Sequence, residues 1–436
     1  YYSPYSSYFS KSALRVRQTK ILDVMLELKM ITEKQHTAAL KVNTIAKVKK
    51  APSSKYSGIK APYFVLAAKN ELLAKYSTTN ITAESKDSTI GGWKVITTLD
   101  TKLQAKAETQ VKNGLAQVQR QGGDTVAFVA EEVETGHVVA LVGGVDFTNK
   151  DHGQNNYAQL RLPPGSSFKP YDYATLIENN NAGAGSVLYD SQGPIGTDYP
   201  CTNKSLPQAN GAGAGNCLFD YSRTYPGPIT IRYALGNSRN VPAVKAFLIA
   251  GKDKVIKTAE ALGLVSGYKC YEPNSVDFAP EHEMQCYGAA GIGDGAYLRL
   301  DEHVNAYASF SRGGNYIPRT YISEVYNQQG KNIYKWKSPT PTQVIRPDTA
   351  YIINDILSDP KPSYFGIKPQ VYGNWRFAVK TGTTNDAKDG LMLSYTPKYA
   401  VGVWVGNHSR SVAMYGSMEN MTLPIVMGWM RPVHDK

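Results

Sequence analysis

Three short motifs contain the residue types that can carry out acyl transfer through a serine. In chain order they are Ser166–Lys169, Ser238–Asn240 and Lys380–Thr383. A serine hydroxyl is a weak nucleophile until a neighbouring base takes its proton. The order of the motifs predicts a serine nucleophile whose base is a lysine rather than a histidine.

The first motif is predicted to begin a helix over Ser166–Glu178. Pro170 is compatible with the first turn, where its missing N–H would be unpaired anyway. A spacing of three puts Ser166 and Lys169 one turn apart on one helix face, within hydrogen-bonding range. A lysine becomes a base only if burial or a neighbouring cation lowers its pKa. Lys380 is the candidate cation, so we expect both lysines to converge on Ser166.

The second motif lies at a predicted bend that follows a short helix ending near Leu235. Its hydroxyl and amide groups are suited to proton transfer and to hydrogen bonding with a substrate. We predict that Ser238 relays a proton between Lys169 and the leaving group, and that Asn240 holds a substrate amide.

The third motif is predicted to lie along the edge of a sheet, between two other strand-like segments. Lys380 and Thr381 are suited to bind a substrate carboxylate, and Gly382 allows a close backbone approach. The backbone N–H groups of Ser166 and Thr383 are candidates for an oxyanion hole, whose donors each contribute roughly 3–4 kcal/mol in comparable enzymes.

Longer segments around these motifs resemble the class A, or bifunctional, penicillin-binding proteins. The resemblance extends over about Trp93 to Trp429 and is carried by Arg161–Pro170, Gly227–Arg232, Asn237–Val244, Lys380–Asp386 and Gly402–Gly406. Two segments depart from the family pattern, namely the Gly/Ala-rich stretch between Tyr189 and Phe219, and Gly390–Ser394. The resemblance implies an α/β penicillin-binding and β-lactamase-like transpeptidase fold, in which helices cover both faces of an antiparallel sheet.

The same resemblance implies a peptidoglycan D,D-transpeptidase that works through an acyl-enzyme at Ser166 and is inhibited by β-lactams. Its implied partners are stem peptides of the lipid-linked precursor, β-lactam antibiotics and other cell-wall synthesis proteins, and no cofactor is expected. A D,D-carboxypeptidase or β-lactamase is the alternative within the same chemistry. A β-lactam sensor or wall-binding domain is the alternative from a different class.

Three regions are predicted along the chain. Residues 1–40 resemble the helical tail of a glycosyltransferase domain, with helices over Lys11–Lys29 and Glu33–Leu40, although a helical pair private to this chain is the alternative. We expect no glycan-polymerising activity from this chain. Residues 41–92 are predicted to be a basic linker and docking region, and residues 93–436 the transpeptidase domain.

Further elements of the large region follow from their apolar patterns. The predicted elements are a strand over Trp93–Leu99, a helix capped by Asp100, a hairpin formed by Thr125–Val133 and His137–Val142, and covering helices over Gly251–Leu264 and Leu300–Phe310.

The chain is basic, with 48 Lys and Arg against 36 Asp and Glu, a net charge of +12. No basic and aromatic module indicates nucleic-acid binding, so we expect none. A surface facing anionic lipids or wall polymers is one explanation of the charge, and a diffuse solvated excess is the other. No run approaches the roughly 20 apolar residues of a membrane span, so we expect any membrane anchor to lie upstream.

Four cysteines form two equally spaced pairs in loop-like sequence. Disulfides that join Cys201 to Cys217 and Cys270 to Cys286 are favoured among the three possible pairings. They would indicate an oxidising location, which for this family means the outer face of the bacterial cytoplasmic membrane. A zinc site made of the four thiolates is the alternative, but the close Cys-x-x-Cys spacing is missing.

We predict structural roles for the histidines of the chain and for the two aspartates that follow the third motif. The seven histidines show no metal-type spacing, and His137 is interpreted as a turn residue. Asp386 and Asp389 are interpreted as turn residues rather than metal ligands. We therefore predict no metal site.

Overall fold

The computed structural model describes residues 10–43, 45–47, 58–76, 92–202, 217–271, 280–364, 370–384 and 387–435. The backbone divides into two compact units, Tyr1–Lys60 and Ala61–Lys436. None of the helices in the described residues is both long enough and apolar enough to cross a bilayer.

The elements of the described residues are numbered in chain order. The α-helices are α1 Lys11–Glu27, α2 Glu33–Lys41, α3 Pro62–Tyr76, α4 Thr101–Arg120, α5 Lys169–Asn179, α6 Ile231–Gly236, α7 Asn240–Ala250, α8 Lys252–Leu262, α9 Leu300–Ser311, α10 Pro347–Leu357 and α11 Met418–His434. The strands are β1 Lys94–Thr97, β2 Thr125–Glu132, β3 His137–Val142, β4 Arg161–Leu162, β5 Val187–Asp190, β6 Gly227–Thr230, β7 Lys269–Tyr271, β8 Glu283–Met284, β9 Ala296–Arg299, β10 Asn315–Tyr316, β11 Ile322–Tyr326, β12 Asn332–Lys335, β13 Thr342–Gln343, β14 Val371–Tyr372, β15 Trp375–Arg376, β16 Ala378–Thr383, β17 Asp389–Tyr395 and β18 Tyr399–Gly406.

The small unit contains the two helices that the sequence predicted. Ser10 caps α1, and Thr32 forms a capping box with Gln35 at the start of α2. Neither helix has a buried residue. Polar contacts link them, including one between His36 Nε2 and Asp23 Oδ1 at 2.7 Å.

The main sheet has five antiparallel strands in the order β16-β17-β18-β2-β3. The predicted hairpin forms its β2 and β3 strands, and β16, which carries the third motif, lies at its edge. The predicted strand over Trp93–Leu99 is shorter, because β1 covers Lys94–Thr97, and it pairs with β11 in a separate three-stranded sheet.

Helices cover both faces of the main sheet, as the sequence predicted. Successive side chains of a strand point to opposite faces. Val126 and Phe128 accordingly pack into one core with α4 and α11, whereas Ala127 and Val129 pack into the other core with α5, α7 and α9. Both faces of β2 are therefore apolar, and the sheet is the middle layer of the large unit.

The helix that carries the nucleophile motif differs in its first turn from the prediction. Gly165–Phe168 forms a 3₁₀ turn, and α5 begins at Lys169. The other predicted helices appear with shifts of one to two residues at their ends, as α8 and α9 show.

Part of the predicted docking region belongs to the large unit. In α3, Tyr63 and Phe64 are buried, and the Tyr63 hydroxyl donates a hydrogen bond of 2.6 Å to Gly153 O. The ring of Phe64 meets that of Tyr321 edge-on, with centroids 5.3 Å apart. Most of the remaining predicted linker lies outside the described residues.

Both predicted disulfides are present, each with a sequence separation of 16 residues. One joins Cys201 to Cys217, and the other joins Cys270 to Cys286. This pairing leaves no thiolates for the alternative zinc site.

Candidate active site

The turn that carries Ser166 packs directly against strand β16. Gly165 has φ +54°, and a Cβ atom there would lie 2.4 Å from Thr383 O. A Cβ atom on Gly382 would lie 2.1 Å from Pro164 O. Only glycine at these two positions allows the backbone of the first motif to touch that of the third. Ser166 is thereby held beside the end of β16.

Lys169 is fully buried at the start of α5. Its Nζ atom donates to Ser238 O at 2.6 Å and to Asn240 Oδ1 at 2.7 Å. Burial lowers the pKa of Lys169 to about 7, although the carboxyl groups of Asp220 and Asp172 oppose this shift. An amine with this pKa is neutral in a large fraction of molecules near pH 7, which a general base requires.

Lys380 approaches the same serine from β16. Its Nζ atom donates to Ser238 Oγ at 2.7 Å and to Thr381 O at 2.9 Å. Burial and the neighbouring Lys169 lower the pKa of Lys380 well below its ordinary value. The first and third motifs thus meet at the second, although no two of them are close in the sequence.

The two lysines both form hydrogen bonds with Ser238. That both amines also converge on Ser166 stays a prediction. Ser238 Oγ lies 3.5 Å from Lys169 Nζ, and its backbone carbonyl accepts the shorter bond from the same amine. Within the described part of the chain, the Ser166 hydroxyl has no hydrogen-bond partner. Ser238 lies at a bend with φ +58°, and its carbonyl and hydroxyl accept hydrogen bonds from Lys169 and Lys380 respectively.

Asn240 holds Lys169 in this structure. The Oδ1 atom of Asn240 accepts from Lys169, while its Nδ2 atom donates to Phe219 O at 2.8 Å. Its backbone N–H donates to Asp220 Oδ1. The predicted role as a clamp for a substrate amide can involve the second hydrogen on Nδ2 and the second lone pair of Oδ1.

The two threonines of the third motif differ in exposure. Thr381 is buried and shares a hydrogen bond with the hydroxyl of Tyr364, whereas Thr383 is exposed at the end of β16. The predicted edge position of the motif is confirmed, because β16 pairs only with β17 within the main sheet. Thr383 also provides the backbone that faces Gly165, next to Ser166.

Arg239, the middle residue of the second motif, has no function predicted from the sequence. The structure buries it between two carboxyl groups, with Nε 2.6 Å from Asp190 Oδ2 and Nη2 3.4 Å from Asp220 Oδ2. A signal was present in the charge of Arg239, because an arginine that becomes buried needs acidic partners. The positions of those partners could not be read from the sequence.

A second buried network behind the first motif was also missed. His303 Nε2 lies 2.9 Å from Ser167 Oγ, and His303 Nδ1 lies 2.8 Å from the Tyr171 hydroxyl. Because Ser167 Oγ donates to Pro164 O at 2.7 Å, its hydrogen bond with His303 must use a proton on the imidazole. Burial lowers the pKa of His303 to about 3, so this histidine is neutral.

Among the described residues, no group of three or more potential ligands could hold a metal ion. Asp389 is the first residue of β17 rather than part of a turn, and it is buried against Arg410 at 3.0 Å and Trp404 Nε1 at 3.0 Å. Likewise His137 begins strand β3 and packs edge-on against Trp336. Asp386 lies outside the described residues.

Comparisons with known proteins show which family this chain is similar to. The chain matches the family described as "Penicillin binding protein transpeptidase domain" over residues 126–420. It is 28% identical to "Penicillin-binding protein 1A/1B" of Bacillus subtilis over 421 residues, covering 89% of this chain and 40% of that protein. It is also 28% identical to "Penicillin-binding protein 1A" of Clostridium perfringens over 431 residues, covering 94% of this chain and 49% of that protein. The chain thus spans less than half the length of these two relatives.

Solved structures share the fold. The penicillin-binding protein PonA1 from Mycobacterium tuberculosis superposes with a TM-score of 0.68 at 21% identity, covering 85% of this chain and 91% of that chain. Penicillin-binding protein 1A from Haemophilus influenzae gives the same TM-score of 0.68 at 18% identity, covering 100% of this chain and 78% of that chain. Since the family match spans well over half of the sequence and contains all three motifs, this chain belongs to the penicillin-binding protein transpeptidase domain family.

Proposed function

We propose that this chain cross-links peptidoglycan stem peptides through a serine acyl-enzyme. The Ser166 hydroxyl attacks the carbonyl carbon of the penultimate D-alanine, and its proton passes to the neutral amine of Lys169. The bond to the terminal D-alanine then breaks, and Ser238 returns the proton to the departing amine. An amine of a second stem peptide attacks the ester, forms the cross-link and gives its proton back to Ser166.

The observation that carries this proposal is the hydrogen-bonded series of Lys380, Ser238 and Lys169 beside the Ser166 turn. The bond lengths are 2.7 Å from Lys380 to Ser238 Oγ and 2.6 Å from Lys169 to Ser238 O. A buried amine with a lowered pKa is what a serine needs in order to become a nucleophile without a histidine.

Substrate binding is assigned to the groups around the end of β16. Thr381 and Thr383, with the positive charge of Lys380 when it is protonated, would bind the carboxylate of the terminal D-alanine. The N–H groups of Ser166 and Thr383 would stabilise the oxyanion. A β-lactam resembles the D-alanyl-D-alanine end and would acylate Ser166. PonA1, which shares the fold, has been solved in complex with penicillin V.

Location and partners follow from the same proposal. Two disulfides fit an oxidising location, so the domain would work on the outer face of the bacterial cytoplasmic membrane. Its partners there would be stem peptides and other wall-synthesis proteins. That the small unit corresponds to the tail of a glycosyltransferase domain stays a prediction.

Intact-mass spectrometry with benzylpenicillin tests the nucleophile. The wild-type chain should gain the mass of one penicilloyl group, and Ser166→Ala should gain none. Ser409→Ala, an exposed serine in the loop after β18, is the matched control and should be acylated like the wild type. An adduct that persists in Ser166→Ala would show that another residue is the nucleophile.

A second assay separates the alternatives. With a pentapeptide donor and an amine acceptor, a transpeptidase releases D-alanine and forms the cross-linked product. Release of D-alanine without that product would indicate a carboxypeptidase, and rapid loss of the penicilloyl adduct would indicate a β-lactamase. Acylation by penicillin with no turnover of stem peptide would indicate a sensor.

A further inference from the structure

A short segment next to a disulfide contacts the second motif, although the segment belongs to none of the three motifs. Phe219 O accepts a hydrogen bond of 2.8 Å from Asn240 Nδ2, and Asp220 Oδ1 accepts from the backbone N–H of Asn240. The segment begins at Cys217, which is bonded to Cys201. Only Leu218 and Phe219 therefore separate Cys217 from Asp220.

These contacts determine which end of the Asn240 amide faces Lys169. A side-chain amide has one acceptor oxygen and one donor nitrogen. Because the carbonyl of Phe219 takes a hydrogen from Nδ2, the Oδ1 atom points to the amine of Lys169, 2.7 Å away. A shift of Phe219 would release the amide and the amine together.

Asp220 is also connected to the middle of the second motif. Its Oδ2 atom lies 3.4 Å from Nη2 of Arg239, whose Nε atom lies 2.6 Å from Asp190 Oδ2. The side chains of Arg239, Asp190 and Asp220 are 3%, 0% and 0% exposed, so water cannot replace a missing partner. The bend that carries Ser238 thus depends on a carboxyl group close to the disulfide.

We propose that Asp220 is a positioning residue for acylation and that the Cys201–Cys217 disulfide fixes the segment that carries it. This inference rests on the proposed function of Ser166 and Lys169. Asp220 does not touch the reacting atoms. It acts through Asn240, which directs the amine of Lys169.

The negative charge of Asp220 should affect the pH dependence of acylation. A purely structural role of Asp220 would leave that pH dependence unchanged. The charged and titratable groups that face the Lys169 amine are Asp172, Asp190, Asp220, Arg239 and Lys380. Asp220 favours the protonated amine. Asp220→Asn retains an oxygen for the N–H of Asn240 but removes the charge, so the pKa of Lys169 should fall. The acid limb of the acylation profile should then move to lower pH.

The experiment measures the second-order rate constant of acylation by a fluorescent penicillin across about pH 5 to pH 9, since a general base shows its pKa there. Asp220→Ala should acylate about 10- to 100-fold more slowly than the wild type, the loss expected from misplacing a reacting group. Cys201→Ser/Cys217→Ser should also be slower. Cys270→Ser/Cys286→Ser, which removes a disulfide of the same separation of 16 residues, should keep the wild-type rate.

The outcomes separate the two proposals. If penicillin does not acylate the wild-type chain, the proposed function and this inference both fail. If it does, but the Asp220 variants keep the wild-type rate and pH profile, only this inference fails. Equal slowing by both double cysteine variants would overturn the role of the Cys201–Cys217 disulfide. Should Asp220→Ala prove unfolded by circular dichroism, the pH profile of Asp220→Asn decides the question.

Discussion

The Nζ atom of Lys380 lies 2.7 Å from the hydroxyl oxygen of Ser238. The same hydroxyl lies 3.5 Å from Nζ of Lys169, so one serine stands between two buried amines. Burial lowers the pKa of each amine. This arrangement supports the proposed role of Ser238 as a proton relay between Lys169 and the leaving group.

Acylation should depend on pH through Lys169. Because its pKa is lowered to about 7, the amine is increasingly protonated below that pH and cannot accept the proton of Ser166. We expect the acylation rate to be half-maximal near pH 7 and to fall by about tenfold for each further pH unit, as one titrating base requires. Stopped-flow measurements with a fluorescent penicillin check this. A rate that stays constant down to pH 5, with the chain still folded, would contradict the assignment of Lys169 as the base.

Replacement of Ser238 by alanine should slow acylation. Both lysines lose a hydrogen-bonding partner, and the proton relay is removed. We expect a loss of about 10²- to 10⁴-fold in the acylation rate constant, which is the usual contribution of a positioned proton-transfer group. Ser409→Ala is the control and should match the wild type. A loss of less than threefold in Ser238→Ala would argue that Lys169 exchanges protons directly with the substrate.

Gly165→Ala should disrupt the contact between the first and third motifs. A left-handed backbone costs a non-glycine residue roughly 1–2 kcal/mol. The new Cβ atom would in addition lie 2.4 Å from Thr383 O. We expect a lower melting temperature and slower acylation, measured by circular dichroism and by penicillin labelling. Gly183→Ala is the matched control, because a Cβ atom at Gly183 has nothing within 4 Å. Equal behaviour of the two variants would show that the close approach is not required.

Breaking the buried ion pair of Glu131 and Arg312 should destabilise the folded chain. Their closest atoms are 2.8 Å apart, with side chains 0% and 6% exposed. Arg312→Met leaves the glutamate buried without its partner, at a cost of about 3–5 kcal/mol in the free energy of unfolding. Chemical denaturation measures this loss, and Glu131→Gln/Arg312→Met should recover part of it.

The decrease in the free energy of unfolding caused by Arg312→Met should depend on pH in a defined direction. Burial raises the pKa of Glu131, and the positive charge of Arg312 opposes this shift. In Arg312→Met the folded chain therefore binds a proton at Glu131 more tightly than the unfolded chain does. The folded state of the variant is favoured below the ordinary glutamate pKa and loses stability as the pH rises. The destabilisation should be larger at pH 7 than at pH 5, and the reverse order would contradict the explanation.

The fold class and several elements could be predicted because they depend on local patterns. Apolar runs on either side of a turn predict the hairpin of β2 and β3, and the predicted Asp100 cap of α4 is confirmed. The strand over Trp93–Leu99 was also found, but its place in a separate sheet with β11 was not. Pairing between strands far apart in the chain depends on the packing of the complete domain, which no local pattern encodes.

The sequence by itself determined which reactive groups the proposed site contains: the residue types of the three motifs, their order, and the glycines that permit close backbone contact. Only the tertiary structure decided that the two lysines meet at Ser238, that Asn240 faces Lys169, and that Arg239 lies between Asp190 and Asp220. The physical reason is that residue type sets what a group can do, whereas its direction and its pKa depend on burial and on neighbours supplied by distant segments.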